Sequence, residues 1–296
     1  MDTILDKYPC TIKTSEMEQV ITNVKKNVGE WATNKEVLKF LFNCIDLTSL
    51  NTEDSADSIR EFVDKVNGLQ KEFPFVPQVA AMCVYPVFTP VLAGALKAEG
   101  VNKAVVSAGF PSSQTFLDVK RLETERAIDF GADEVDIVIS VGEFLEGNYE
   151  FVGEEIRQVK NVMKEAHLKV ILESGALKEE QEIWTASLLS MEYGADFVKT
   201  STGKQQPAAT FEAAYVMLNA IKTFHEKTGR KIGFKPAGGI STPEDALVYY
   251  GLVKEILGEE WLNNKLFRIG ASRLANHLLT EIQAMETGER KEIKYF

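Results

Sequence analysis

The stretch GADFVKTSTGK, from Gly194 to Lys204, sets a lysine inside a short apolar run. Phe197 and Val198 read as part of a buried strand, and Lys199 follows them directly. An ammonium group in a dry interior is costly, and the usual escape is loss of its proton. A second lysine, Lys235, sits in a similar run, GFKPAGG. Two nearby ammonium groups plus burial can pull one of them from about 10.4 towards roughly 7–8. An amine that is partly neutral near pH 7 is a nucleophile for a carbonyl carbon, and the product is a Schiff base.

Other apolar runs carry ionisable residues too: Asp46 in CIDLTSL, Asp136 in EVDIVIS, and Lys169 and Glu173 in LKVILES. For any single one of them, a buried ion network that fixes strand register is an adequate reading. For the set it is weaker, because two lysines facing one interior repel each other. A further constellation suits a phosphate. KPAGGI (235–240) and RIGASR (268–273) place Gly238, Gly239, Gly270 and Ser272 after strand-like runs, and TSTGK adds hydroxyls, Gly203 and Lys204. Glycine-rich turns leading into helix N-termini hold phosphate through backbone N–H groups. Each turn alone is weak support, since glycine also serves ordinary turns.

Something must hold these residues together. The strand-like runs are NCIDLTS (43–49), QVAAMCVYP (78–86), KAVVSAG (103–109), EVDIVIS (134–140), KVILES (169–174), DFVKTS (196–201), IGFKPAG (232–238) and LFRIGAS (266–272). Amphipathic stretches such as DSIREFVDKVNGLQKEF and FEAAYVMLNAIKTFHEKTG separate them, and Gly131, Gly194 and Gly229 fall where helices should stop. Eight strands, each followed by a helix, predict an α/β chain folded as a (β/α)8 TIM barrel, in which chemistry gathers at the C-terminal strand ends. A doubly wound open sheet is the competitor. It usually carries a Gly-rich turn after its first strand, and NTEDSADS is not one. Residues 1–42 carry helical patterns (SEMEQVITNVKKNV, NKEVLKFLF) and are expected to pack on the barrel's N-terminal side as an extension. The barrel is expected over 43–286, with a C-terminal tail over 287–296.

Composition narrows the classes. With 296 residues, 45% hydrophobic and 26% charged, the chain is ordinary for a globular protein. A net charge of −11 argues against a general nucleic-acid binder while leaving room for a local basic pocket. No run approaches the roughly 18 apolar residues of a membrane span, and MDTILDKYPC has no signal-like apolar core. Cys10, Cys44 and Cys83 are odd in number and far apart, which favours a reducing, cytoplasmic setting over a disulfide framework. His167, His225 and His277 show no metal-ligand spacing, so no metal is expected.

Together FVKTSTGK, GFKPAGGI, EVDIVIS and RIGAS, with CIDLTSLN and CVYP, resemble the deoxyribose-phosphate aldolase family over roughly residues 40–280. The resemblance implies a class I aldolase on a (β/α)8 barrel without metal or organic cofactor. Its reaction would be reversible cleavage of 2-deoxyribose 5-phosphate to acetaldehyde and glyceraldehyde 3-phosphate, in deoxyribonucleotide catabolism. Its partner would be a small sugar phosphate, with no nucleic acid and no membrane; a homodimer is an expectation, since family members are often dimers.

Carried over by motif, Lys199 would be the Schiff-base lysine, Lys235 the lysine that lowers its pKa, and Asp136 the general acid/base. Asp46 and Thr48, with Lys204, would contact the sugar hydroxyl or support the lysines. Gly203, Gly238, Gly239, Gly270 and Ser272 would line the phosphate site, Lys169 would serve a charge network, and Cys83 reads best as a buried core thiol. Two departures stand out. Arg273 occupies a position where some members have serine, and would meet the phosphate or point to solvent. Tyr295 is penultimate where many members end on tyrosine, and would assist proton transfer or belong to a frayed tail.

Three rivals follow. They are a Schiff-base aldolase for a longer keto-sugar phosphate, a sugar-phosphate-binding scaffold without catalysis, and a barrel isomerase that depends on a Glu or His base. Borohydride sensitivity in the presence of substrate separates the Schiff-base enzymes from the others.

Overall fold

In the computed structural model the alternation of apolar runs and amphipathic stretches becomes a ring of parallel strands; residues 4–296 are described. Helices α1 (Ile4–Lys7), α2 (Thr14–Ala32) and α3 (Lys35–Asn43) precede β1 (Ile45–Thr48). There follow α4 (Ala56–Glu72), β2 (Ala81–Val84), α5 (Thr89–Ala95), β3 (Asn102–Val106), α6 (Leu117–Asp129) and β4 (Glu134–Val138). Next come α7 (Val141–Leu145), α8 (Tyr149–Asn161), β5 (His167–Ile171), α9 (Glu180–Glu192), β6 (Phe197–Lys199) and α10 (Phe211–Thr228). The chain closes with β7 (Gly233–Lys235), α11 (Pro243–Leu257), β8 (Ile269–Ala271) and α12 (Arg273–Thr287).

The strands run in the order β7-β6-β5-β4-β3-β2-β1-β8, every pair parallel. Two bridges, Phe234 to Phe267 and Ala237 to Gly270, join the outer strands and close the (β/α)8 barrel. All eight expected strands are present, but several are shorter than the apolar runs. The run 43–49 loses its first two residues because Asn43 ends α3 and Cys44 caps it. The run 169–174 is shifted: the strand starts at His167, and Glu173 lies beyond it in a left-handed conformation.

Local chemistry sets the helix ends. Ser55 and Ser58 cap α4 reciprocally, and the hydroxyls of Thr210 and Thr242 accept from Ala213 N and Asp245 N at the starts of α10 and α11. Gly229 takes the left-handed turn that ends α10, its N–H reaching His225 O at 2.8 Å. Two buried layers result. The larger lies between strands and outer helices. A small one, Ala81, Cys83, Ala104 and Val106 with Leu50, fills the lumen on the β2–β3 side.

The described residues before β1 pack on the outer helical layer. Helix α2 lies along α10 and α11, with Trp31 edge-on to Tyr250 at 5.3 Å. Helix α3 lies against α12, and Trp184 of α9 donates to Tyr8 O at 3.0 Å. Residues 1–3 of the expected extension lie outside the described residues.

Candidate active site

On the other side of the lumen the inward positions of β4–β8 and β1 are charged. Strand pairing sets Lys199 beside Lys235 and Asp136 beside Lys169. Lys199 Nζ lies 2.7 Å and Lys235 Nζ 2.8 Å from the same oxygen, Asp136 Oδ2. Lys235 also reaches Asp46 Oδ2 at 2.5 Å. Lys169 bridges Glu134 Oε2 at 2.5 Å, Asp136 Oδ1 at 3.1 Å and Asp46 Oδ2 at 3.4 Å. Arg268 spans Asp46 Oδ1 at 2.7 Å and Glu134 Oε1 at 2.8 Å.

The sequence expectation brought Lys199, Asp136, Lys235, Asp46 and Lys169 to the lumen and missed Glu134 and Arg268. Both were within reach of the rule that found the others. Glu134 lies two residues before Asp136 and Arg268 two before Gly270, so each shares its neighbour's side of the strand.

Three carboxylates, Asp46, Glu134 and Asp136, thus face four bases, Lys169, Lys199, Lys235 and Arg268. Leaving one base neutral balances the charge, and the surroundings select which. Burial, helped by the Lys235 ammonium, pulls Lys199 below the ordinary lysine value against the opposing pull of Asp136. Burial acts on Lys235 as well, but Asp136 and Asp46 together outweigh it and raise this lysine. Lys169 is raised in the same way by Asp136, Glu134 and Asp46. Burial alone would raise Asp136; the ammonium groups of Lys169, Lys199 and Lys235 reverse this and hold its carboxyl well below the usual range.

Lys199, 4% exposed, is the lumen base that opens on a cavity of about 220 Å³ at the C-terminal strand ends. Its other walls include Gly203, Lys204, Gly238, Gly239, Gly270 and Ser272, all expected at this site, with Thr48 at the rim. Beside neutral Lys199, Lys204 and Arg273 supply two cations, and among the described residues no carboxylate lines the cavity, a local reversal of the chain's −11 charge. Among the described residues, the N–H groups of Gly203, Gly238 and Gly239 have no backbone acceptor. Gly238 has φ +90°, and a Cβ there would lie 2.7 Å from Ala208 Cβ and 3.0 Å from Gly203 Cα, so the two turns meet backbone to backbone. Ser272 begins α12 with no side-chain cap bond, which leaves its hydroxyl at the cavity. Orphan N–H groups, a helix start and two cations suit an anion.

Asp46 does not reach this wall. Fully buried below it, the carboxylate meets Lys235, Lys169 and Arg268. Thr48 donates to Asp46 O at 2.8 Å, and Lys204 Nζ is tied to Leu50 O at 2.6 Å. Arg273 is exposed at the cavity rim. Burial pushes the Cys83 thiol up to about 11, so it is protonated at neutral pH, as a core thiol is.

Tyr295 lies away from the lysines. Its hydroxyl donates to Lys65 O at 2.7 Å, its ring meets Phe73 edge-on at 5.3 Å, and the Tyr295 and Phe296 amides donate to Asn276 Oδ1 at 2.9 and 3.0 Å. The tail is bound to α4 and α12 rather than frayed. A larger cavity, about 540 Å³, lies outside the barrel beside α7 and α8 and includes none of the lumen residues. Among the described residues no cluster of His, Cys, Asp or Glu could hold a metal ion, and no helix is long and apolar enough to cross a membrane.

Comparison with known proteins bears on the chemistry. Residues 40–249 match the family described as DeoC/LacD family aldolase. The chain is 42% identical over 291 residues to the deoxyribose-phosphate aldolase of Homo sapiens, covering 95% of this chain and 90% of that one. It is 41% identical over 290 residues to the Bos taurus enzyme of the same name, with equal coverage. The deoxyribose phosphate aldolase from Aeropyrum pernix, described as a tetramer, superposes with a TM-score of 0.67 over 89% of this chain and 99% of that one; at 22% identity it shows the fold.

Proposed function

The chain belongs to the DeoC/LacD aldolase family, and from that premise we propose that it is a class I aldolase cleaving 2-deoxyribose 5-phosphate to acetaldehyde and glyceraldehyde 3-phosphate. One observation carries the reading. Two lysines share Asp136 Oδ2, and the one with the depressed pKa opens on a cavity lined by cations and orphan N–H groups.

In this reading neutral Lys199 adds to the C1 aldehyde of the open-chain sugar phosphate. The carbinolamine loses water to give an iminium, whose cationic nitrogen accepts the electron pair of the C2–C3 bond as that bond breaks. Asp136, a carboxylate at neutral pH, takes the proton of the C3 hydroxyl through a water. That oxygen becomes the carbonyl of glyceraldehyde 3-phosphate. The enamine left on Lys199 takes a proton at C2, with Lys235, which shares Asp136 Oδ2 with it, as the donor, and hydrolysis then releases acetaldehyde. Condensation also removes hydrogens from the amine, which loosens its hold on Asp136 Oδ2 and makes room for the water beside Lys235. Gly203, Gly238, Gly239, Gly270 and Ser272, with Lys204, Arg273 and Thr48, hold the far end, so that binding remote from the reacting carbons places C1 against the amine.

Borohydride reduction in the presence of 2-deoxyribose 5-phosphate, followed by peptide mass mapping, tests the reading. A reduced two-carbon adduct on the Lys199 peptide is expected. An adduct on Lys235 would exchange the lysine roles, and no adduct with the sugar phosphate still bound would point to a binding protein. Ser272→Ala is expected to raise KM by roughly 5–10-fold with kcat nearly unchanged in steady-state assays, as loss of one hydrogen bond to an unreactive group does.

The same proposal includes self-association, a homodimer being the smallest assembly. Phe116, Val119, Leu122 and Phe130 expose apolar surface along one stretch around α6, and the Aeropyrum pernix relative is described as a tetramer. Light scattering on the purified chain should return a multiple of 33.0 kDa.

A further inference from the structure

We propose that Glu173 is a positioning residue that sets the cavity's affinity for the phosphate end of its ligand by holding the loop after β6. The inference rests on the aldolase reading only for the identity of the substrate. Glu173 is 5% exposed and is not part of the cavity wall. It stands just past β5 with φ 53° and ψ 56°, a conformation uncommon for a residue that carries a Cβ.

That conformation turns the carboxylate onto Thr202, whose N–H donates to Oε1 at 3.2 Å and whose hydroxyl donates to Oε2 at 2.5 Å. The Thr202 hydroxyl has only one proton. With that proton committed to Glu173, its oxygen is left to accept from Lys204 N at 3.0 Å. Gly203, with its orphan N–H, lies between these two anchored amides.

Two neighbouring contacts make the clamp rigid. Ser174 N donates to Thr200 O at 2.8 Å, and a Cβ on Gly175 would lie only 1.8 Å from Pro207 O. The segment after β5 therefore meets the 200–207 stretch backbone to backbone. On its far side the same loop abuts Gly238. Both anion-binding turns thus take their position from Glu173 and its two successors.

The residue type matters. A carboxylate is acceptor-only, so it can take the Thr202 N–H and O–H at once. A glutamine keeps the size and offers one acceptor oxygen and an NH2 group. Its NH2 would face the Thr202 hydroxyl and turn that proton towards Lys204 N, which is itself a donor. Simple electrostatics makes the opposite prediction, because removing a negative charge near an anion site should tighten anion binding.

Calorimetric titration of glycerol 3-phosphate, an unreactive probe, into wild type, Glu173→Gln and Glu173→Asp separates the two. Both variants are expected to bind about 10-fold more weakly, the equivalent of one or two hydrogen bonds; aspartate keeps the charge but falls one methylene short. In steady-state assays KM for 2-deoxyribose 5-phosphate should rise by a similar factor with kcat kept, and kcat/KM for unphosphorylated 2-deoxyribose should not change. Unchanged or tighter probe binding by Glu173→Gln would overturn the proposal. So would equal losses for both sugars, which mark a general structural role. Probe binding without any cleavage in wild type would sink the aldolase reading alone and leave the comparison of variants intact.

Discussion

Lys199→Met is expected to lower cleavage of 2-deoxyribose 5-phosphate by roughly four or more orders of magnitude, since removal of a covalent nucleophile leaves only binding and proton transfer. The substitution should be mild for the fold. Asp136 keeps Lys235 at 2.8 Å on one oxygen and Lys169 at 3.1 Å on the other. The lumen then holds three carboxylates and three bases, and an unbranched apolar side chain fills the place of the lysine stem.

The pH dependence of stability should change with it. A lysine whose folded pKa is lowered binds fewer protons in the folded chain than in the unfolded one, from its lowered value up to about 10.4. Its contribution to wild-type stability therefore becomes less favourable as the pH falls through that window and stays unfavourable below it. Lys199→Met removes this contribution, so at neutral pH its Tm should equal or exceed that of wild type. A retro-aldol assay beside thermal unfolding at pH 7 and 9 reads both effects. Activity above about 1% of wild type would exclude Lys199 as the nucleophile.

Lys235→Leu should cost roughly two to three orders of magnitude in kcat/KM at pH 7 and move the rising, low-pH limb of activity upwards in pH. Lys199 is nucleophilic only when neutral, so activity climbs as the pH rises through its pKa. The Lys235 ammonium is one of the causes that lower that pKa, and Asp136 opposes it. Without Lys235, Asp136 acts on Lys199 with less competition, the pKa rises, and each unit of rise removes about nine-tenths of the neutral amine at a fixed lower pH.

Stability should fall as well, by roughly 3–5 kcal/mol, because Asp46 Oδ2 loses a partner at 2.5 Å and is left with Lys169 at 3.4 Å. The profile of kcat/KM from pH 6 to 10 decides between causes. A limb that stays in place while the rate falls would mean that burial alone tunes Lys199 and that Lys235 serves only proton transfer. Near-normal activity at pH 7 would refute the two-lysine argument altogether.

Local sequence was sufficient for some of this molecule. Eight apolar runs separated by amphipathic stretches with glycine stops predict strands and helices, because backbone periodicity and left-handed helix ends are set by neighbouring residues. The same period of two, applied to the strands that carry Lys199, Asp136 and Lys235, puts each of these side chains on one face with its neighbours two residues away. The glycines of TSTGK and KPAGG signal tight turns, because a positive φ is open to glycine without steric cost.

Tertiary structure decided who meets whom. That Lys199 and Lys235 share one oxygen of Asp136, 63 and 99 residues away, follows from strand register and barrel closure. Glu134 and Arg268 look like ordinary charged residues until the ring brings them together, and only then do four bases against three acids leave one lysine to be neutral. Asp46 and Glu173 were visible as ionisable residues near strand ends, but only the barrel sets the first, fully buried, against Lys169, Lys235 and Arg268, and a left-handed backbone turns the second onto Thr202. A pKa depends on all the charges and all the burial around a group, and these are sums over distant segments. For that reason the candidate nucleophile could be picked out from its strand, while the direction of its pKa had to wait for the barrel.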